Sequence, residues 1–200
     1  MVKRRVIRLS VLLGVAVVAV LPLGLCAGPP GYYVEKYGHV EGLARPTATA
    51  RAIEPEEQTE AHTCGMHAIR SVYRAYGMDP DAAGLRFRLG TDKALTNVTP
   101  KLTGTIHPDI LRVLGQDGFD AETLMMDEKG PARLRAHLET GHPALGLVEV
   151  GEVLHWLVLA GVEGEEVVIV DSLSPEAYRR GFDAYARDEV LNAILIEPAQ

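Results

Sequence analysis

Three residues of this 200-residue chain have side chains and an order suited to acyl-transfer chemistry: Cys64, His155 and Asp171. Cys64 opens the segment Cys64-Gly65-Met66-His67-Ala68-Ile69-Arg70-Ser71-Val72-Tyr73-Arg74-Ala75-Tyr76-Gly77, with apolar side chains at 66, 69, 72, 73 and 76. That spacing predicts a helix closed by a glycine. A thiol at a helix N-terminus feels the positive end of the macrodipole, which favours the thiolate. The thiolate is the species that attacks a carbonyl carbon. Taken alone, a helix-start cysteine is more often a small buried hydrophobe, so the reading rests on two residues further along the chain. His155 lies in Val153-Leu154-His155-Trp156-Leu157-Val158-Leu159-Ala160, read as a strand, and Asp171 ends the next one, Val167-Val168-Ile169-Val170-Asp171. Adjacent antiparallel strands can bring the two side by side. Cysteine, then histidine, then an orienting aspartate is a workable order for a nucleophile triad.

Local patterning assigns the rest of the chain to helices, strands and loops around these three. After the Cys64 helix, Asp79-Pro80 is expected to cap a shorter helix running to about Leu89. Residues 90–106, rich in Gly, Thr, Asn and Lys, read as a loop. His107-Pro108-Asp109 starts a helix with Ile110, Leu111 and Leu114 inward, ending at Gly115 to Gly118. Phe119 to Met126 reads as a strand, and Gly130-Pro131 starts a helix through Leu134 and Leu138 to Gly141. Strands come next at 144–150, 153–160 and 167–171, the first two joined by the tight Gly151-Glu152 link, and 192–196 is a last strand. Helices first and an antiparallel sheet later indicate an α+β domain. Such an arrangement would place the helix carrying Cys64 and the sheet carrying His155 on opposite walls of one cleft. The Glu163, Glu165 and Glu166 cluster reads as a solvated hairpin.

The N-terminus has a different character. Lys3, Arg4, Arg5 and Arg8 precede an uncharged stretch from Leu9 to Ala27, the pattern of a secretory signal or a membrane anchor. Cys26-Ala27-Gly28 resembles a signal peptidase site, and Leu25 before Cys26 is large for a lipobox. The expected organisation is residues 1–27 as signal or anchor, 28–55 as a Pro/Gly/Ala-rich linker, and 56–200 as the domain. Tyr32, Tyr33 and Tyr37 fall in that linker. Four of the 20 basic residues and none of the 27 acidic ones lie in 1–27, leaving a formal net charge of −11. A chain so acidic is a poor partner for nucleic acid or anionic lipid. Cleavage after Ala27 would leave Cys64 as the sole cysteine, which excludes a disulfide framework.

His62, Cys64 and His67 form His-x-Cys-x-x-His and raise zinc as an alternative. Their spacing opposes it, since His62 precedes the helix, His67 lies a turn along it, and no second ligand cluster is nearby. His107, His137 and His142 read as surface residues, and His39 has no evident chemical setting. No P-loop motif or multi-span region occurs, and no cofactor is expected.

Several segments carry a resemblance. Gln58-Thr59-Glu60-Ala61-His62-Thr63-Cys64-Gly65, the helix ending at Tyr76-Gly77, His155-Trp156-Leu157-Val158-Leu159-Ala160-Gly161 and Val168-Ile169-Val170-Asp171 resemble the C39 peptidase family. Those are papain-like cysteine peptidases, best known from bacteriocin-processing exporters. Gly104-Thr105, Asp117-Gly118-Phe119-Asp120 and Gly141-His142-Pro143-Ala144 extend the likeness over about residues 56 to 197. The resemblance implies a papain-like α+β fold, Cys64 as nucleophile, His155 as base, Asp171 as orienter, Gln58 as oxyanion-hole donor, and a peptide or protein substrate. The family commonly has an acidic residue immediately before the cysteine, where this chain has Thr63. The expectation is an extracytoplasmic cysteine peptidase, secreted, periplasmic or tethered to the membrane by its N-terminal segment. The same fold as an inactive peptide-binding or accessory module is one alternative, and a Cys-dependent acyl transferase or amidase is another.

Overall fold

In the computed structural model the described residues are 42–92, 94–96, 99–102 and 104–200. The expected signal or anchor, Tyr32, Tyr33, Tyr37 and His39 lie outside them. Among the described residues no helix is long and apolar enough to cross a membrane.

Helix α1 (Cys64–Ala75) forms where the periodicity predicts it and buries Ile69, Val72 and Tyr73 completely. Tyr76 caps it and Gly77 turns the chain away at φ +76°, a conformation that suits glycine. Helix α2 (Ala82–Leu89) starts two residues later than expected: the Asp81 carboxylate, beyond Pro80, accepts the Gly84 N–H at 2.7 Å. The expected loop contains a short antiparallel pair, β1 (Ala94–Thr96) and β2 (Thr99–Leu102). Its composition reads as loop because backbone pairing there needs no apolar alternation. Next come α3 (His107–Gln116), β3 (Phe119–Met125), α4 (Gly130–Glu139), β4 (Ala144–Val150), β5 (Val153–Glu163) and β6 (Glu166–Val170). The chain ends with β7 (Tyr178–Gly181), α5 (Phe182–Asp188) and β8 (Val190–Pro198).

Six strands form one antiparallel sheet in the order β3-β8-β4-β5-β6-β7. On one face α1 and its neighbours bury Leu145, Leu147, Trp156, Val158 and Ile194. On the other, α4 and α5 cover Val148, Leu157, Leu159, Val167 and Ile169. The α+β class and the N-terminal helices on an antiparallel sheet are as expected. The second helical layer is an addition, and it explains the unbroken apolar runs of β4 and β5. A strand covered on both faces has no polar side to alternate with.

Two polar clusters hold α1 in place. Asp117, at the end of α3, accepts Tyr73 Oη at 2.7 Å and both terminal nitrogens of Arg88 at 2.6 and 2.8 Å. Its side chain is wholly buried, so three helices are tied through one desolvated carboxylate. On the outer side, Glu56 reaches Arg70 at 2.6 Å, Arg74 at 2.8 Å and His67 Nδ1 at 3.0 Å. The segment before Glu56 lies along the end of α1: Thr47 N–H donates to Tyr76 and Arg51 N–H to Ala75. Leu43, Ala50 and Ile53 pack on the core. The described part of the 28–55 stretch is therefore a docked strap leading directly to Gln58.

Removing one partner from a buried charge network leaves the others unpaired in low dielectric. Asp117→Ala strands Arg88 and the Tyr73 hydroxyl, and urea unfolding is expected to show a loss of about 3–5 kcal/mol.

Candidate active site

Cys64 is the first residue of α1, and its helix points at the end of the sheet where β6 has stopped. Pairing of β5 with β6 begins at Val158 and Val170, leaving residues 155–157 of β5 unpaired on that side. At that gap Trp156 is near enough to the Cys64 sulfur to favour its thiolate. Gly65 acts in the same direction from the helix, and His155 acts more strongly than either. The imidazole Nε2 meets Asp171 Oδ1 at 2.7 Å, which leaves Nδ1 as the free ring nitrogen. Asp171 is fixed in turn. Its Oδ1 also accepts the Leu173 N–H at 2.9 Å, and Tyr178 Oη approaches Oδ2 at 3.4 Å. Cys64, His155 and Asp171 are thus brought together, with a hydrogen bond joining His155 to Asp171 and with Cys64 and His155 each only 5% exposed.

Charge is set by these contacts. Burial pushes the Cys64 thiol up, but His155, Trp156 and Gly65 beside it outweigh burial and hold it below its usual range. Burial pulls the His155 imidazolium down; Asp171 and Cys64 more than reverse this and carry it up to about 9. Burial raises the Asp171 carboxyl as well, and the His155 and Leu173 bonds bring it below the ordinary carboxylate range. All three directions favour a thiolate–imidazolium pair backed by a carboxylate.

The sulfur opens onto a cleft of about 480 Å³. Trp156 and Leu147 form its floor, His62 and Thr105 its sides, and the exposed Ile106 and Leu154 its rim. Gly65 makes room for this wall. A Cβ there would lie 2.8 Å from Thr105 Cβ and 3.1 Å from Trp156 Cδ1. Gly104, at φ +67°, brings the opposite backbone against His62, where a side chain would meet the carbonyl at 2.9 Å. The Trp156 indole N–H donates to the Thr105 carbonyl at 2.9 Å and locks the two walls together.

Comparison with solved structures identifies the architecture. The peptidase domain of Streptococcus ComA, a bi-functional ABC transporter of a quorum-sensing pathway, superposes with a TM-score of 0.58 at 20% identity, over 74% of this chain and 99% of that domain. A double glycine motif protease from an AMS/PCAT transporter, solved with its leader peptide, gives 0.55 at 18% identity over 78% and 99%. A candidate C39-like peptidase from Bacillus anthracis gives 0.57 at 13% identity over 74% and 96%. This chain has the papain-like fold of C39 peptidase domains. No family model and no curated protein matches its sequence.

Within the C39 fold, the remaining expected residues take distinct places. Gln58 lies next to Asp171 through Ser172: its N–H donates to the Ser172 carbonyl at 3.0 Å, and its Oε1 accepts the Ser172 hydroxyl at 2.7 Å. Thr63, in place of the family's acidic residue, is buried and donates its hydroxyl to the Glu60 carbonyl at 2.8 Å, closing the turn into α1. His62 and His67 do not converge with Cys64 on a common point. His62 binds Asp92 at 2.9 Å beside Arg86, and His67 binds Glu56. No group of three or more potential ligands among the described residues could hold a metal.

Two expectations are corrected. His107, His137 and His142 are half-buried rather than on the surface. His107 Nε2 lies 2.6 Å from Asn192 Oδ1, and its ring meets Trp156 edge-on at 4.6 Å, on the cleft wall. His137 bonds the Pro143 carbonyl and His142 the Tyr76 hydroxyl, anchoring the start of β4. Ser172 and Tyr178 belong to the site without having been expected there. Their only sequence signal is proximity to Asp171.

Iodoacetamide reports the thiolate directly. In the wild type, alkylation of Cys64 is expected to stay fast as pH falls to about 6–7, below the range of a free thiol. In His155→Ala the sulfur loses its principal counter-bond, so burial dominates and the rate–pH curve shifts to higher pH. Superimposable curves for the two proteins would exclude the ion pair.

Proposed function

We propose that this chain is a cysteine peptidase that cleaves peptide bonds through Cys64, His155 and Asp171, outside the cytoplasm. The single observation that carries the reading is the buried His155–Asp171 pair set beside Cys64, at the start of a helix and on the wall of a cleft. Its extracytoplasmic setting is supported by the basic cluster before the uncharged stretch from Leu9 to Ala27. A peptide substrate is supported by the C39 fold and by the neighbour solved with its leader peptide.

The arrangement of these residues supports the following chemistry. The Cys64 thiolate attacks the scissile carbonyl carbon, and the carbonyl electrons move onto oxygen to give a tetrahedral oxyanion. The Cys64 backbone N–H at the helix start and the Gln58 side-chain amide are the donors for that oxyanion. Collapse re-forms the carbonyl and breaks the C–N bond as the His155 imidazolium delivers its proton to the leaving amine. An acyl thioester remains on Cys64. Water, deprotonated by His155, adds to that thioester, and expulsion of the thiolate restores the ion pair. Asp171 keeps Nε2 protonated throughout, so Nδ1 alone exchanges protons with substrate. The apolar rim at Ile106 and Leu154 offers contact to apolar substrate side chains.

Incubation of the protein with a proteome-derived peptide library, read by mass spectrometry, tests the reading. New termini should appear with the wild type and vanish with Cys64→Ala; their absence from the wild type would overturn it. On a peptide found this way, activity should fall on the alkaline side near pH 9, as His155 loses its proton. Gln58→Ala should lower turnover about a hundredfold while Cys64 alkylation stays nearly unchanged, because alkylation develops no oxyanion.

A further inference from the structure

We infer that Ser172 is a positioning residue that sets the orientation of the Gln58 amide, a role that rests on the peptidase reading above. A glutamine amide has a donor end and an acceptor end of nearly equal size, and only one of them stabilises an oxyanion. With Nε2 toward the developing charge the amide attracts it; with Oε1 there it repels it. Nothing intrinsic to the side chain selects between them, because the terminal torsion is broad and roughly two-fold. Selection must come from a neighbour.

Ser172 is that neighbour. Its hydroxyl donates to Gln58 Oε1 at 2.7 Å, which occupies the acceptor end. The amide N–H pair has no partner among the described residues and is the end left for substrate. Ser172 also accepts the Gln58 backbone N–H at 3.0 Å through its own carbonyl, so both the main chain and the side chain of Gln58 are referenced to one residue. Ser172 is itself buried and comes directly after Asp171, at the end of β6. The turn that holds the histidine's carboxylate partner therefore also holds the oxyanion donor. A serine hydroxyl can donate or accept. Donation to Oε1 is the arrangement in which Gln58 presents N–H groups to substrate.

Ser172→Ala removes the hydroxyl and leaves the backbone bond from Gln58 in place, so the path of the strap is retained. The amide is then free to turn. Turnover on a peptide cleaved by the wild type should fall about fivefold, the effect of a typical lost hydrogen bond. The roughly hundredfold loss from deleting the Gln58 donor sets the ceiling. The change should lie in kcat with KM little altered, because the donor acts on the oxyanion and not on bound substrate. Iodoacetamide alkylation and its pH profile should match the wild type. In the Gln58→Ala background, Ser172→Ala should have no further effect, since it acts only through the amide.

Wild-type kcat in Ser172→Ala would overturn the inference, and so would a loss of the same size with and without Gln58. A shifted alkylation profile in Ser172→Ala would overturn it too, by placing the effect on the ion pair. A wild type that cleaves no peptide overturns the parent reading and this role with it. A wild type that cleaves, beside an unaffected Ser172→Ala, overturns this role alone.

Discussion

Removing a thiolate and an imidazolium from water destabilises each by several kcal/mol, and their mutual attraction offsets this only if the remaining hydrogen-bonding positions are filled. That constraint organises the site. The Cys64 sulfur is favoured as thiolate by Gly65 and Trp156 in addition to His155. The second imidazole nitrogen is taken by Asp171, whose own oxygens are taken by Leu173 and Tyr178. The positive end of α1 adds a field of the right sign at the sulfur. Each contact comes from backbone or from a group held by backbone, so the ion pair costs little reorganisation when it forms.

Such contacts are short-ranged, and they transfer the problem to the placement of α1 against β5. Two clusters on different sides of the helix meet it. The buried Asp117 carboxylate gathers Tyr73 and Arg88, fixing the helix from within. Glu56 gathers Arg70, Arg74 and His67 and fixes it from outside. At the tip, Gly65 lets Thr105 and Trp156 approach more closely than a side chain would allow. A helix held at three places has little freedom to slide.

The sequence made some of this legible, and physics explains which parts. Periodicity at 66, 69, 72, 73 and 76 with a stop at Gly77 specifies α1, because its buried face repeats every 3.6 residues. His155 and Asp171 were readable because β5 and β6 are apolar enough to stand out and are joined by a short turn at Gly164. Strand β7 was not. Tyr178-Arg179-Arg180-Gly181 is a sheet-edge strand with mostly exposed side chains, so backbone pairing alone specifies it. The strap was equally silent, since Ala, Pro and Thr dock in extended form without periodicity. His107 looked like a helix-start surface residue because its partners, Asn192 and Trp156, are distant in sequence. The Gln58–Ser172 contact spans 114 positions and joins two residues with no local signal at either end. Pairings of that kind exist only once the sheet has formed.

The turn after β6 shows why a compact site can come from few residues. Asp171 accepts the N–H of Leu173 two residues on, and its carbonyl accepts the N–H of Ser174, so the aspartate defines the turn it sits in. From that turn the Ser172 hydroxyl reaches Gln58 Oε1 at 2.7 Å. The strap that brings Gln58 is held by Glu56, and Glu56 is held by the helix that carries Cys64. The path from nucleophile to histidine to aspartate to serine to glutamine therefore returns to α1. A closed path of short contacts resists distortion better than an open one, because no member can move without straining two others. That closure lets segments without periodicity of their own, the strap and the 171–174 turn, hold the candidate site's side chains in place.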